Sequence, residues 1–174
     1  SDVMLFNIDS KGSAKVGSGK EAIVEVFMKV FNEMQGYCGS IPYLADFERQ
    51  LDNEGRFGEF KTKFEENAGA PWEKKRQAFA VIQDKIVKTL VDMDFMSEEA
   101  ARNWCRSAKG DYDLTIEKFV GLVQEYIAKK GNNHHVIFMV DEVGQYLADD
   151  TKLMLNLQTI VEDLGSACHG KAWV

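Results

Sequence analysis

The sequence has few of the features that mark linkers, membrane anchors and disulfide scaffolds. It contains only 2 Pro and no low-complexity tract, which argues against a disordered linker. No apolar run approaches the ~20 residues that a membrane-spanning helix needs, so no membrane association is expected. Its 3 cysteines, Cys38, Cys105 and Cys168, lie far apart with no motif around them. Scattered thiols in odd number are typical of a reducing compartment, so we expect a cytoplasmic protein.

The sequence also has no excess of positive charge, since its 21 Lys and Arg are outnumbered by 28 Asp and Glu. The formal net charge of −7 counts against a broad nucleic-acid-binding surface, because affinity for DNA comes mainly from neutralising phosphates.

The three histidines show no metal-binding pattern. His134 and His135 are adjacent at the start of a predicted strand, so their side chains point to opposite faces and cannot hold one metal ion.

The most informative segment that is present is an apolar run followed by two acids. Residues 136–140 are all apolar, and Asp141 and Glu142 follow directly. Such a run is typical of a central strand of a parallel sheet that helices cover on both faces. Two carboxylates at the end of that strand are costly unless a ligand occupies them.

This pattern predicts a Walker B segment. In P-loop ATPases the Asp holds Mg²⁺ through its water shell, and the Glu orients or deprotonates the attacking water. We therefore expect Asp141 to be the acid that binds the cofactor and its metal, and Glu142 to be the catalytic base. The alternative is a buried strand whose acids cap the next helix or pair with a surface lysine.

The residues that follow favour the first interpretation. A predicted loop at 143–150 leads into an amphipathic helix, then a turn at 165–170, then a strand at 171–174. The predicted apolar face of that helix consists of Leu153, Leu157, Ile160, Val161 and Leu164. Strand, acidic pair, helix and strand is the order expected around Walker B in a doubly wound sheet.

The partner motif, Walker A, is missing. It requires Gly-x-x-x-x-Gly-Lys-Ser/Thr, whose backbone N–H groups surround the phosphates and whose hydroxyl binds the metal. The nearest candidate is residues 17–20, but Glu21 replaces the Ser or Thr and Ala14 replaces the first Gly. A flexible turn before a helix that begins near Lys20 is the alternative interpretation of these residues.

Both ends of the sequence look cut. Residues 171–174 read as the start of a core strand, and the strand-like residues 3–9 have almost nothing before them. We therefore expect a piece of a larger ATPase that begins after its Walker A loop. Such a fragment is expected to be inactive alone and to bind ATP and Mg²⁺ tightly only as part of the full-length protein.

Several segments resemble one known family, the large P-loop ATPase of the BREX bacteriophage-resistance system (BrxC/PglY family). The resemblance is carried by residues 140–147, 153–165 and 170–174, and also by residues 20–37 and 97–113. It implies a very large cytoplasmic ATPase that acts with a DNA methyltransferase and other phage-defence proteins. DNA contact by this parent protein is compatible with the resemblance, although the fragment itself carries only short basic patches, such as residues 74–76 and 129–130.

The region between the first strand and the Walker B segment is predicted to be helical. The predicted helices are 20–35, ending at Gly36; one capped by Ser40 with Pro42 in its first turn, ending at 52–55; one around Phe57 and Phe64, ending at Gly69; a long one from Pro71 through Phe79, Ile82, Ile86 and Leu90; one capped by Ser97, ending at Gly110; and one capped by Asp113, ending at Gly131.

An ordinary crossover between neighbouring parallel strands carries one helix and few extra residues. We therefore expect an α/β fold with a partial P-loop NTPase core at 1–39 and 113–174 and an inserted helical subdomain at 40–112. The small parallel sheet should contain strands near 3–9, 135–141 and 171–174, with the apolar run in the centre.

Two alternatives to the ATPase interpretation stay open at this point. Residues 40–112 could be a protein-interaction module for which the sheet is only a scaffold. The chain could also be a non-ATPase α/β domain in which Asp141 and Glu142 bind a metal ion directly. Binding of ATP, or of Mg²⁺ or Mn²⁺ without nucleotide, distinguishes these functions.

Overall fold

The computed structural model describes residues 1–8, 22–131, 133–147 and 150–174. The chain forms two compact units, which we call the sheet unit (1–34 and 114–174) and the helical unit (35–113). The chain thus leaves the sheet unit after Met34 and returns to it at Leu114.

The described elements are, in chain order, β1 (Asp2–Asn7), α1 (Ala22–Met34), α2 (Pro42–Asn53), α3 (Phe57–Ala68), α4 (Trp72–Lys75) with a 3-10 turn (Arg76–Ala78), α5 (Gln83–Asp92), α6 (Glu98–Asp111), α7 (Ile116–Lys130), β2 (Val136–Asp141), α8 (Val143–Leu147), α9 (Thr151–Ala167) and β3 (Ala172–Trp173). None of the helices within this described part of the chain has the length and apolar character needed to cross a bilayer.

The sheet contains the three strands in the order β1-β2-β3, and both pairs are parallel. This confirms the predicted α/β class with a small parallel sheet, and it confirms that the apolar run lies in the central strand. The predicted first strand extends to Asp9, but the observed β1 ends at Asn7 and Asp9 lies outside the described residues.

Helices cover one face of this sheet. Along β1, Met4 and Phe6 are 5% and 4% exposed, so alternate residues point inward. Phe27 of α1 packs between Phe6 and Phe138, with ring centroids 5.3 Å from each. Phe119 of α7 lies on the same cluster, 5.8 Å from Phe138. The core of the sheet unit is therefore built from aromatic rings between the strands and helices α1 and α7.

The other face of the sheet is exposed, which corrects the expectation that helices bury the apolar run on both faces. Val3, Leu5, Met139 and Trp173 are 55%, 74%, 52% and 59% exposed, and Ile137 is half-buried between them. We call these five residues the open face. Hydrophobic character alone could not show this, because every residue of the run is apolar whichever face it lies on.

The helical unit has its own hydrophobic core. Its largest fully buried side chains are Phe60, Phe64, Trp72, Leu44 and Leu51. The aromatic residues of this unit pack against one another; the Trp72 ring meets Phe60 edge-on at 5.0 Å and Phe64 at 4.9 Å. These contacts are those of a packed hydrophobic core.

A buried carboxylate joins three segments of the helical unit. Glu48 of α2 has no exposed surface, and it accepts hydrogen bonds from the Cys38 N–H at 2.6 Å and the Trp72 Nε1–H at 2.7 Å. Arg76 completes the arrangement as its ion-pair partner at 2.8 Å. Because these three partners surround its carboxylate, Glu48 is explained as a structural group, although the buried Arg76 Nε has no hydrogen-bond partner of its own among the described residues.

Some predicted helix boundaries are wrong. The predicted long helix from Pro71 is divided, because α4 and its 3-10 turn end at Ala78 and α5 begins only at Gln83. Ser40 does not cap α2; its hydroxyl donates to Gln77 Oε1 at 2.5 Å instead. The predicted loop at 143–150 contains the short helix α8.

Candidate functional site

The carboxyl ends of β1 and β2 meet at one edge of the sheet, since the two strands are parallel. Their register places Asn7 beside Asp141. In open α/β sheets ligands bind in the crevice outside the carboxyl ends of the strands. The two acids selected from the sequence therefore lie where this kind of fold places its ligands.

The backbone turns sharply after Asp141. Glu142 has a φ of 60°, in the left-handed region that non-glycine residues seldom occupy. The Asp141 Oδ1 accepts the N–H of Glu142 at 2.8 Å, which holds this turn. A residue in this conformation costs on the order of 1–3 kcal/mol and is retained where the surroundings impose it, often at functional sites.

The turn leaves the two acids with different hydrogen-bond partners. Asp141 belongs to the same alternating row of β2 as Ile137 and Met139, so it lies on the side of the open face. Glu142 is directed toward the end of β1, where the Asn7 Nδ2 donates a hydrogen bond to its Oε2. Adjacent acids with different partners can serve different chemical roles.

Asn7 is a site residue that sequence reasoning missed. It stands within the predicted strand 3–9, and only its polar character among Val3, Leu5 and Phe6 sets it apart. Its contact with Glu142 becomes evident only from the register of β1 on β2, because Asn7 and Glu142 are 135 residues apart in the sequence.

Both acids are exposed to solvent. Among the described residues neither forms an ion pair with Lys, Arg or His, and no group of three or more His, Cys, Asp or Glu residues is placed to hold a metal ion. The candidate phosphate loop, residues 17–20, lies outside the described residues. What the described part of the edge offers is therefore two carboxylates and one amide.

A second polar cluster lies at the opposite, amino edge of the sheet. The Tyr126 hydroxyl donates to Asp2 Oδ2, and His134 Nε2 lies 2.8 Å from the same oxygen. These bonds hold the pKa of Asp2 below its ordinary value, with the Tyr126 hydrogen bond as the largest cause and burial acting against it. Through these two contacts Asp2 links β1 to α7 and to the residues before β2, at the edge of the sheet opposite to Asp141.

The three thiols are free and buried. Burial raises the pKa of Cys105 to about 11 and also raises the pKa of Cys168. A raised pKa lowers the fraction of reactive thiolate at neutral pH, so these two side chains are poor nucleophiles.

A shallow groove of about 200 Å³ lies in the helical unit between α5 and α6. Its lining includes Val87 and Val91 together with Arg102, which pairs with Asp84 at 3.0 Å and with Glu98 at 2.9 Å. Lys88, the remaining charged residue of the lining, pairs with Asp92 at 2.6 Å, so each charged side chain of the groove already has a partner of opposite charge.

Comparison with known proteins assigns no family to the chain. No protein-family model matches it, and no solved structure matches it significantly. The inference of function therefore rests on the carboxyl edge of the sheet and its three polar residues.

Proposed function

We propose that the chain is the Walker B part of a large P-loop ATPase of the BREX phage-defence type, acting in the cytoplasm with other phage-defence proteins. The observation that supports this most directly is the position of Asp141 and Glu142. Asp141 is the last residue of the central strand of a parallel sheet and Glu142 follows it, at the edge where such folds bind ligands. In this proposal the helical unit is the inserted subdomain of the ATPase.

The two acids take different roles in the parent enzyme. Asp141 is the carboxylate that binds Mg²⁺, directly or through water, because Mg²⁺ prefers hard oxygen ligands such as an exposed carboxylate. Glu142 is the base that orients and deprotonates the attacking water, and its carboxylate is held by the hydrogen bond from Asn7. Bound Mg-ATP would supply the transferable phosphoryl group and the neutralising charge.

Asn7 positions the base. Its amide donates to Glu142 Oε2, so it fixes where the carboxylate lies relative to the end of β1. A base must come within about 2.6–3.2 Å of the water it activates, and a hydrogen bond from a neighbouring strand restricts the rotamers that meet this condition.

The test is a pair of substitutions in the full-length ATPase. Glu142→Gln keeps the shape of the side chain and removes the base, so nucleotide should still bind while turnover falls by about 10²–10⁴. Asp141→Asn should weaken nucleotide affinity and change the Mg²⁺ dependence as well. Asp163→Asn, an exposed acid of α9, is the matched control and should leave both unchanged.

Nucleotide binding and steady-state hydrolysis are measured for all three variants. Hydrolysis by Glu142→Gln at the wild-type rate would exclude Glu142 as the base. Equal losses of affinity in both site variants would mean that the two acids share one role.

A further inference from the structure

Strand β1 is held by side-chain hydrogen bonds at both of its ends. At the amino end, Asp2 Oδ2 accepts the Tyr126 hydroxyl and lies 2.8 Å from His134 Nε2. At the carboxyl end, Asn7 donates to the carboxylate of Glu142. Asp2 and Asn7 are the first and last residues of the strand, so a contact that fixes one end of this short element also limits where the other end lies.

The partners of Asp2 are themselves held by their neighbours. The Tyr126 ring packs edge-on against Phe31 of α1 at 5.6 Å and against His134 at 5.9 Å. The His134 side chain is only 17% exposed. The lowered pKa of Asp2 means that its carboxylate carries a charge near neutral pH, and hydrogen bonds to a charged acceptor are stronger than those between neutral groups. Asp2 therefore ties β1 to a fixed part of the sheet unit.

The apolar pattern of β1 permits one alternative register. Residues 3–6 and Ile8 are all apolar, so a shift by two positions along β2 keeps apolar side chains on the covered side of the sheet. In one direction, Met4 takes the place of Asp2 and the inner positions remain apolar. In the other direction, the Asp2 carboxylate takes the buried place of Met4, which is costly for a charged group. Hydrophobic burial thus excludes only the second shift.

The permitted shift would separate Asn7 from Glu142. Two residues at about 3.3 Å each would move the amide by about 7 Å, well beyond hydrogen-bond distance. The same shift would withdraw Asp2 from Tyr126 and His134. The contacts of Asp2 therefore oppose the one shift that the apolar pattern permits.

We propose that Asp2 is a positioning residue for the base Glu142. Its contacts with Tyr126 and His134 hold β1 in the register in which Asn7 reaches the base. This inference rests on the proposed function, since it concerns the base of that reaction. It gives the amino edge of the sheet a role in chemistry at the carboxyl edge, although Asp2 itself touches neither the base nor the nucleotide.

The test uses Tyr126→Phe and Asp2→Ala in the full-length ATPase. Tyr126→Phe removes only the hydroxyl and leaves the ring on Phe31. Each variant should lower kcat by about 10–10²-fold, up to the loss that a 1 Å misplacement of a catalytic group can cause. Nucleotide affinity should stay unchanged, because Asp141 keeps its place in β2. Asp2→Asn keeps an oxygen that can accept the Tyr126 hydroxyl, so it should recover most of the kcat that Asp2→Ala loses.

Tyr43→Phe is the matched control. It removes a tyrosine hydroxyl from the helical unit and leaves the ring on Phe79 at 5.5 Å, so kcat should not change. Combining Tyr126→Phe with Asn7→Ala separates positioning from a general loss of stability, because residues that act through one another have non-additive effects. The double variant should turn over no more slowly than Asn7→Ala alone. Losses that multiply would overturn the proposal, as would equal kcat values for Tyr126→Phe and Tyr43→Phe.

An NMR measurement on the 174-residue chain separates failure of this inference from failure of the proposed function. The side-chain amide signal of Asn7, assigned by its loss in Asn7→Ala, is sensitive to the hydrogen bond with Glu142. Tyr126→Phe should move this signal toward its position in Glu142→Ala, whereas Tyr43→Phe should leave it in place. An unmoved signal in Tyr126→Phe would overturn the inference. If the signal moves but the full-length wild type hydrolyses no ATP, the proposed function fails while the coupling between the two ends of β1 stands.

Discussion

At the scale of single residues, two neighbouring acids have different surroundings because the strand ends between them. Asp141 keeps the pairing register of β2, whereas Glu142 has left it with a positive φ. The hydrogen bond from Asn7 then fixes the side chain of Glu142. Chemical identity alone cannot distinguish these acids, and their geometry supports separate roles as metal-side acid and base.

The Asp2 carboxylate predicts how stability depends on pH. Its pKa is lowered from an ordinary 3.8, first by the Tyr126 hydrogen bond, so at acid pH the unfolded state binds more protons than the folded state. The stabilisation is therefore complete well above 3.8 and is lost as pH falls through the lower folded pKa. We expect wild type and Asp2→Asn to differ in Tm near neutral pH and to converge as the pH falls through the lowered pKa of folded Asp2.

Thermal unfolding followed by circular dichroism over this pH range measures the effect. Asp111→Asn, at an exposed position of α6, is the control and should show a constant difference from wild type. A constant difference for Asp2→Asn as well would mean that the Tyr126 bond does not favour the charged carboxylate.

At the scale of elements, helix α7 shows how a buried side chain selects the start of a helix. Asp113 and Thr115 are both good N-cap residues, and the sequence favoured Asp113. The observed cap is Thr115, whose Oγ1 accepts the Lys118 N–H at 3.0 Å, which corrects that prediction. Leu114 between them is 8% exposed, and the chain has to bury it before the helix begins.

These two positions give a paired test of the cap. Thr115→Ala removes the hydrogen bond to the first turn of α7 and should lower the free energy of unfolding by about 1 kcal/mol. Asp113→Ala should change it by less than about 0.5 kcal/mol, as an exposed substitution that removes no cap. Urea denaturation of both variants measures the difference; a larger effect for Asp113→Ala would return the cap to the residue that the sequence favoured.

Two other helix boundaries differ in how well the sequence predicts them. Ser97 is confirmed as the cap of α6, with its hydroxyl accepting the Ala100 N–H at 3.2 Å. The break between α4 and α5 has no Gly or Pro at 76–82 to announce it. There Phe79 packs against Tyr43 at 5.5 Å and Trp104 at 5.7 Å, so contacts with distant helices accompany the interruption.

At the scale of the whole molecule, the proposed ATPase site is divided between this chain and the rest of the parent. We expect the 174-residue chain to bind Mg-ATP weakly or not at all, because most phosphate contacts in this enzyme class come from a Walker A loop that the sequence lacks. Calorimetric titration of the purified chain with Mg-ATP measures this. A micromolar Kd that Asp141→Asn abolishes would show instead that the carboxyl edge binds phosphate without such a loop.

The sequence by itself determined the features that depend on neighbouring residues. The apolar run specified a strand, helical spacing specified most of the helices, and Gly69 and Gly131 ended α3 and α7 with the positive φ that glycine adopts easily. Asp141 and Glu142 were likewise selected as candidate site residues from their place directly after the run.

The tertiary structure decided what depends on distant segments. The hydrogen bond of Asn7 to Glu142 requires the register between two strands that a helical unit separates, and the exposure of Leu5 and Met139 depends on which side of the sheet α1 and α7 pack. A sequence pattern records that a side chain is apolar, whereas contact between remote parts of the chain determines whether that side chain is covered and what lies beside it.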